Sequence, residues 1–421
     1  MATDSFFRAR WALTPDGWQS DVLIHVVDGC IASLEPLDGR PAPRRFECNC
    51  IVPGAINVHS HAFQRLLVGR TGAFRSPDDD FWAWRHIMYA EAARLTPDTL
   101  HDTYLGVFKA MRAAGTTTIT EFHYVHGADQ GVDVPVRMGR AVQQAAKDAG
   151  VRLLLLPVLY RFGGFGGRPA TSEQAPFLLD TRVYLELMDS LADGYGSIGY
   201  APHSLRAVSE SDIERALDQR KLDRPDAPVH IHVAEQMREV NECMIALRKR
   251  PVEYVLERFH ADASWCFIHA THMTDAERTK LASKGVTVGL CPTTEADLGD
   301  GRFPLRPFLS DGGHIAIGSD SNVCLDVASE LRLLDYQQRL ETRRRNAFQL
   351  NSATPVARWL YEHMLTGGRR ATGLPVGRLE PGAPADFVDL PGDGPPDDVL
   401  GAWIHGDGVR PVQVFVDGRM A

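Results

Sequence analysis

Along the chain, apolar residues gather in short, β-branched runs separated by stretches that turn apolar every third or fourth position. The runs at 51–59, 116–122, 151–160, 197–201, 229–233, 265–269, 286–291 and 314–319 read as strands. Helical patterns lie between most of them, at 96–114 (opened by Thr96-Pro97-Asp98), 135–149, 209–219, 252–259 and 274–284. Apolar strands alternating with crossover helices predict an α/β protein built on a (β/α)8 TIM-type barrel. The two ends differ. Residues 18–27 and 30–35 are short runs broken by Asp28-Gly29 and Asp38-Gly39, hairpin punctuation without helical period, and 377–388 and 411–418 look the same. The termini are expected to combine into one small β-sandwich domain, 1–52 with 375–421, leaving 53–374 as the barrel. No internal repeat is visible. Arg343-Arg344-Arg345 is read as a solvated helix face.

Composition narrows the partners. With 421 residues and a formal charge of -9, the chain can bury a large core but lacks the clustered cations that nucleic acid or an anionic membrane surface requires, so a small molecule is the expected partner. The first residues lack the basic start and long apolar core of a signal peptide, and the run at 151–160 is too short and Pro-interrupted to span a bilayer. Of seven scattered cysteines, with no Cys-x-x-Cys, most read as buried thiols in a reducing compartment, here the cytoplasm.

Chemistry concentrates where the predicted strands end, which is where a barrel of this kind carries its reactive groups. Run one ends in His59-Ser60-His61, run two in His123-Tyr124, run four in His203, run five in His232 with Glu235 beyond, run six in His269 and run eight in Asp320. On a strand, His59 and His61 point to the same face. Together with His232 and Asp320 they make a nitrogen and oxygen shell suited to zinc with a position left for water; iron and manganese accept the same ligand types. His230 shares the face of His232 but lies farther from the mouth, and is expected to be structural. No lysine stands at a strand end to bridge a second ion; Lys109 and Lys147 fall in predicted helices. One metal per chain is expected.

Pro53-Gly54 before His59-Ser60-His61, His232-Val233-Ala234-Glu235, His269 and Gly318-Ser319-Asp320-Ser321 together resemble the amidohydrolase superfamily in its mononuclear aminohydrolase branch. Within it, the stretches 59–65, 121–126, 230–236 and 291–301, the last reading Cys-Pro-Thr-Thr-Glu-Ala-Asp-Leu-Gly-Asp-Gly, resemble a narrower group of deiminases acting on a formimino group carried by an amino diacid. That resemblance spans nearly the whole chain. It implies hydrolytic release of ammonia, with Asp320 taking a proton from water, His269 orienting that water and stabilising the adduct, and Glu235 protonating the departing nitrogen. It also implies that Arg85 and Arg206 hold the substrate's two carboxylates, assisted by Gln64, Tyr124 and His203. A homodimer is what the resemblance suggests for assembly. The alternatives are a deaminase of a purine or other heterocycle, which would need aromatic stacking in place of paired guanidiniums, and a non-catalytic relative, which would be expected to have lost ligands that this chain retains.

Overall fold

The computed structural model describes residues 4–37, 46–70, 81–128, 131–348 and 353–420; the expected turn at Asp38-Gly39 lies outside them. The chain begins with β1 (Asp4–Thr14), β2 (Gly17–Val27), β3 (Cys30–Pro36) and β4 (Phe46–Pro53). It continues through β5 (Ala55–Ser60), β6 (Thr116–His123), β7 (Arg152–Leu159), β8 (Ser197–Ile198), β9 (Ala201–Pro202), β10 (Val229–Val233), β11 (Trp265–His269), β12 (Thr287–Leu290) and β13 (His314–Ile317). It closes with β14 (Phe387–Leu390), β15 (Gln413–Val416) and β16 (Arg419–Met420).

Strands β5 to β13 form the barrel. Parallel pairing runs β5-β6-β7 to β8 and β9, and separately β10-β11-β12-β13. Two parallel bridges, Tyr200 to Val229 and Ser60 to Asp320, join the arcs, so β8 and β9 serve as one interrupted fourth stave. The closing seam is also held by the His59 carbonyl, which accepts from the backbone N–H groups of Ser319 (3.0 Å) and Asp320 (2.9 Å). Apolar side chains fill the space between staves and helices, as expected for strands covered on both faces.

The terminal strands join in one seven-stranded sheet of order β16-β15-β14-β4-β1-β2-β3. Both ends of the chain do combine, through β4 pairing antiparallel with β14, and the sheet buries Phe7, Ile24, Phe387 and Phe415 in a small core of its own. The expected run at 51–59 is thereby divided: β4 belongs to the terminal sheet, β5 to the barrel, and only Gly54 separates them. A Cβ there would fall 2.1 Å from Thr117 Oγ1, so glycine is what lets the chain cross so close to the next stave. Arg152, at the start of β7, ties the parts together through a two-point pair with Asp386 (3.0 and 3.2 Å) and another with Asp417 (2.6 Å).

All five expected helices form, within a few residues of the expected bounds. Thr96 opens Pro97–Ala113 with a capping box, a device worth about 1 kcal/mol. The helices Phe81–Ala92, Thr181–Leu191, Met237–Leu247, Val327–Thr342, Val356–Thr372 and Pro396–His405 were not anticipated. Arg343 stands in the left-handed conformation (φ 53°) after the end of Val327–Thr342, so the three arginines are solvated past a helix end and not along a helix face. No helix among the described residues is long and apolar enough to cross a membrane.

Candidate active site

The end of β5 carries His59, the residue just past it is His61, and β10 carries His232; all three enter the barrel mouth, and the turn after β13 adds Asp320. One ligand atom from each of the four lies within 4.8 Å of the others, and all four residues are buried. His59 Nε2 is 3.0 Å from His232 Nε2 and 3.4 Å from Asp320 Oδ1, and His61 Nε2 is 3.3 Å from the same oxygen. His61 Nδ1 donates to the Phe122 carbonyl (2.9 Å) and His232 Nδ1 to the His203 carbonyl (3.1 Å), which leaves both Nε2 lone pairs facing inward. Burial lowers the pKa of all three imidazoles, His61 to about 3 and His232 well below the usual range, so they are neutral. Burial pushes Asp320 up, but its hydrogen bond to His59 and the cationic His269 nearby outweigh it and hold the carboxylate below its usual range. Converging neutral nitrogens and one ionised carboxylate are the donor set a divalent cation takes, and a cation shared between two Nε2 atoms 3.0 Å apart relieves their mutual repulsion.

Beside this cluster stands a second one of opposite character. His269 Nε2 is 3.6 Å from Asp320 Oδ2 and 3.8 Å from Glu235 Oε1, while its Nδ1 faces Glu295 Oε1 at 3.2 Å. Burial pulls His269 down, but Glu235, Glu295 and Asp320 carry it up to about 10. Glu235 is raised to about 7, by burial first and then by Asp320 and Glu239 against the opposing pull of His269. The three turns presenting these groups, after β10, β11 and β13, are strained, with positive φ at Ala234 (52°), His269 (69°), Ala270 (48°) and Asp320 (49°), the concentration of unfavourable backbone expected where side chains must be aimed.

The cavity that opens over both clusters is lined by Gln64, Arg85, Tyr124, His203 and Arg206, as well as by His61, His232, Glu235, His269 and Asp320. Arg85 Nη2 donates to Tyr160 Oη (3.3 Å) and lies over the Tyr89 ring; Gln64 Nε2 donates to Tyr124 Oη (2.6 Å); His203 Nδ1 pairs with Ser204 Oγ (2.9 Å). Burial lowers the Arg206 guanidinium, but Tyr160, Glu239, Glu235 and Tyr89 reverse this, so its net direction is up. His203 is driven well below its ordinary value by burial and by Arg206 and Arg85, and stays neutral beside two cations. The residues expected to bind metal or substrate or to move protons are therefore brought to one cavity or to its wall, with His59 just beneath.

Two expectations about neighbours resolve differently. His230 stays out of the cluster and bonds the Ala371 carbonyl through Nε2 (2.7 Å), as expected of a structural residue. His123, grouped above with the strand-end imidazoles, does not reach the cavity: alternation turns it against Tyr104 and His126, while Phe122 packs against His59, His61 and His232 and Tyr124 lines the cavity. Phe122, Glu239 and Glu295 carry no role in the sequence reading. Glu239 accepts from the N–H groups of Ala234 (3.2 Å) and Glu235 (3.1 Å), and its place in the first turn of a helix that follows a strand end is a signal that could have found it.

A barrel with this mouth defines a class, and comparison with known proteins agrees: residues 50–421 match the Amidohydrolase family, and the chain belongs to that family. Residues 4–43 match the N-terminal domain of the formimidoylglutamate deiminase HutF. A formimidoylglutamate deiminase of Pseudomonas aeruginosa is 40% identical, over 98% of this chain and 93% of that protein. A 5-methylthioadenosine/S-adenosylhomocysteine deaminase of Halobacterium salinarum is 28% identical over 82% of this chain and 74% of its own length. Among solved structures, an amidohydrolase from Brucella melitensis superposes with a TM-score of 0.91 at 40% identity, covering 99% of this chain and 94% of that one.

Proposed function

We propose that the protein is a formimidoylglutamate deiminase, hydrolysing N-formimino-L-glutamate to N-formyl-L-glutamate and ammonia in histidine breakdown. The observation that carries this reading is that two buried guanidiniums, Arg85 and Arg206, line the same cavity as the three-histidine, one-aspartate cluster. A guanidinium binds a carboxylate through paired charge-assisted hydrogen bonds, and a linear diacid presents a carboxylate to each of these two. Identity to the Pseudomonas aeruginosa enzyme over nearly the full chain supports the same substrate.

His59, His61, His232 and Asp320 would hold one zinc ion per chain, with iron or manganese fitting the same donors. Zinc bound there supplies Lewis acidity that brings the pKa of water from about 15.7 toward about 7. Asp320 takes a proton as the water oxygen bonds to the formimino carbon, and His269 orients that oxygen and stabilises the charge that develops on it. Glu235, poised near neutrality, passes a proton to the imino nitrogen as the adduct forms; the adduct's hydroxyl proton is then relayed through the same carboxyls to that nitrogen, the C–N bond breaks as the carbonyl forms, and the nitrogen leaves as ammonia. Gln64, Tyr124 and His203 help the two arginines to orient the diacid. Residues 53–374 are the catalytic barrel, while 1–52 and 375–421 form the small domain built on the seven-stranded terminal sheet. The reading also includes a homodimer and a cytoplasmic location, for which the seven free cysteines speak.

The test is ammonia release from a panel of N-formimino-L-glutamate, adenosine, guanine and cytosine, with wild type and Arg206→Met. Only the diacid should be turned over well, and the substitution should lower kcat/KM by about 10- to 100-fold, the value of a charge-assisted hydrogen bond. Efficient turnover of a heterocycle, indifferent to the arginine, would establish the other deaminase activity.

A further inference from the structure

The stretch after β12 contributes the carboxylate that meets His269 Nδ1. Strand β11 ends in a left-handed turn, with φ 69° at His269 and 48° at Ala270, which carries the imidazole sideways across the mouth. Among the described hydrogen bonds and ion pairs, its Nδ1 has one partner, Glu295 Oε1 at 3.2 Å. Glu295 is 4% exposed, and the same oxygen accepts the Cys291 backbone N–H at 3.0 Å, so the carboxylate is folded back on the start of its own helix, Pro292–Leu298.

That helix is in turn fixed. Thr293 donates its backbone N–H to Glu330 Oε2 (2.9 Å) and its hydroxyl to Glu330 Oε1, and Thr294 Oγ1 bonds the Ser319 carbonyl (3.2 Å) and Ser321 Oγ (2.9 Å). Ser319 and Ser321 flank Asp320. One short helix therefore grips the imidazole of His269 on one side and the turn carrying Asp320 on the other.

We infer that Glu295 is a positioning residue for the reaction: by accepting the Nδ1 proton of His269 it fixes which edge of the ring faces the mouth, keeping Nε2 toward Asp320 and Glu235. The inference rests on the functional reading above for its kinetic arm only. An orienting carboxylate behind an imidazole holds both ring rotation and the place of the proton, and losing such a support costs about 10- to 100-fold in activity at comparable sites. Glutamine at 295 retains the volume and removes the charge, so the charge-assisted hydrogen bond that holds the Nδ1 proton is lost whichever end of the amide meets the ring.

The experiment uses zinc-loaded, full-length protein labelled with 15N-histidine, the His269 signals being assigned from their absence in His269→Gln. In the wild type, a hydrogen-bonded proton on Nδ1 of His269 is expected at low field; in Glu295→Gln that signal should vanish or move, with zinc content and KM for N-formimino-L-glutamate within about 3-fold and kcat lowered by about 10- to 100-fold. Added to His269→Gln, the same change should cost nothing further, because Glu295 acts through that ring. If Glu295→Gln folds poorly, Glu295→Asp, with the acceptor on a shorter stem, should retain the proton signal and part of kcat. An Nδ1 proton unmoved by the substitution, an undiminished kcat, or an equal further loss in the His269→Gln background overturns the inference. Should the wild type leave N-formimino-L-glutamate untouched, the functional reading fails, while the Nδ1 signal still decides the role of Glu295.

Discussion

The two halves of the barrel mouth are equally dry and behave in opposite ways. On the side of β5 and β10, burial acts on imidazoles and strips their protons, so that His59, His61 and His232 are neutral. A few ångströms away, burial acts on carboxyls: Glu235 is lifted to about 7 and Glu239 moves up as well, while the surrounding carboxylates carry His269 to about 10. The same desolvation thus makes one half a donor set for a cation and the other a reservoir of protons. Residue type and neighbours together divide the labour: an imidazole set among imidazoles loses its proton, and one set among carboxylates keeps it.

The harshest way to break this contrast is to remove a member of the neutral half. His232→Ala should lose bound metal and fall to background activity together, because one of only four donors is gone; metal analysis alongside ammonia release checks it. Metal retained at wild-type stoichiometry would mean that the ligand set has been assigned wrongly. The proton-holding half should break differently. Glu235→Gln keeps size and polarity, so metal content and diacid affinity should stay near wild type while kcat drops by roughly 10²- to 10⁴-fold, the scale of a lost general acid or base. A variant that kept most of its kcat would hand the proton transfer to another group.

The smallest effect sharpens the contrast outside the site. His126 and His230 are held down to about 4 by burial, although they bond only backbone carbonyls, of Val158 and Ala371. Their folded pKa lies below the unfolded value of about 6.5, so the unfolded chain binds more protons in between, and stability is lost as pH falls from about 6.5 toward 4. The loss should be on the order of 1 kcal/mol per histidine per pH unit, read from urea unfolding at pH 7, 6 and 5. Replacing His230 by Gln should flatten the slope by its share; an unchanged slope would place the acid sensitivity elsewhere.

Legibility in the sequence followed periodicity. His59, His61 and His232 could be read because a two-residue repeat at a strand end fixes side-chain direction without knowledge of the fold. The same rule, applied to where run two ends, would have separated Tyr124 from His123. Glu295 and Glu239 escaped because their partners, His269 and the Ala234–Glu235 turn, are set by how a following helix docks, which no local pattern encodes. The helix Val356–Thr372 was hidden by Gly367-Gly368, a pair that ordinarily signals a break. Here those glycines are a packing surface: a Cβ at 367 would lie 1.7 Å from the Ile315 carbonyl oxygen and one at 368 would lie 2.7 Å from Ile56 Cβ, so the helix rests directly on the barrel wall. The interrupted fourth stave likewise reads as one run, because the break at Gly199-Tyr200 is imposed by pairing and not by composition.

The single glycine between β4 and β5 gives the molecule an unusual chain of dimensions. Pro53 is paired with Phe387, and six residues later comes His59, with no loop in between to absorb an error. A slip of one residue between β4 and β14 would be transmitted along the backbone and would ask β5 to turn its histidines to the opposite face. The aim of the first two ligands is thus gauged from a strand more than three hundred residues downstream. The far end of the polypeptide acts as the datum from which the barrel mouth is measured.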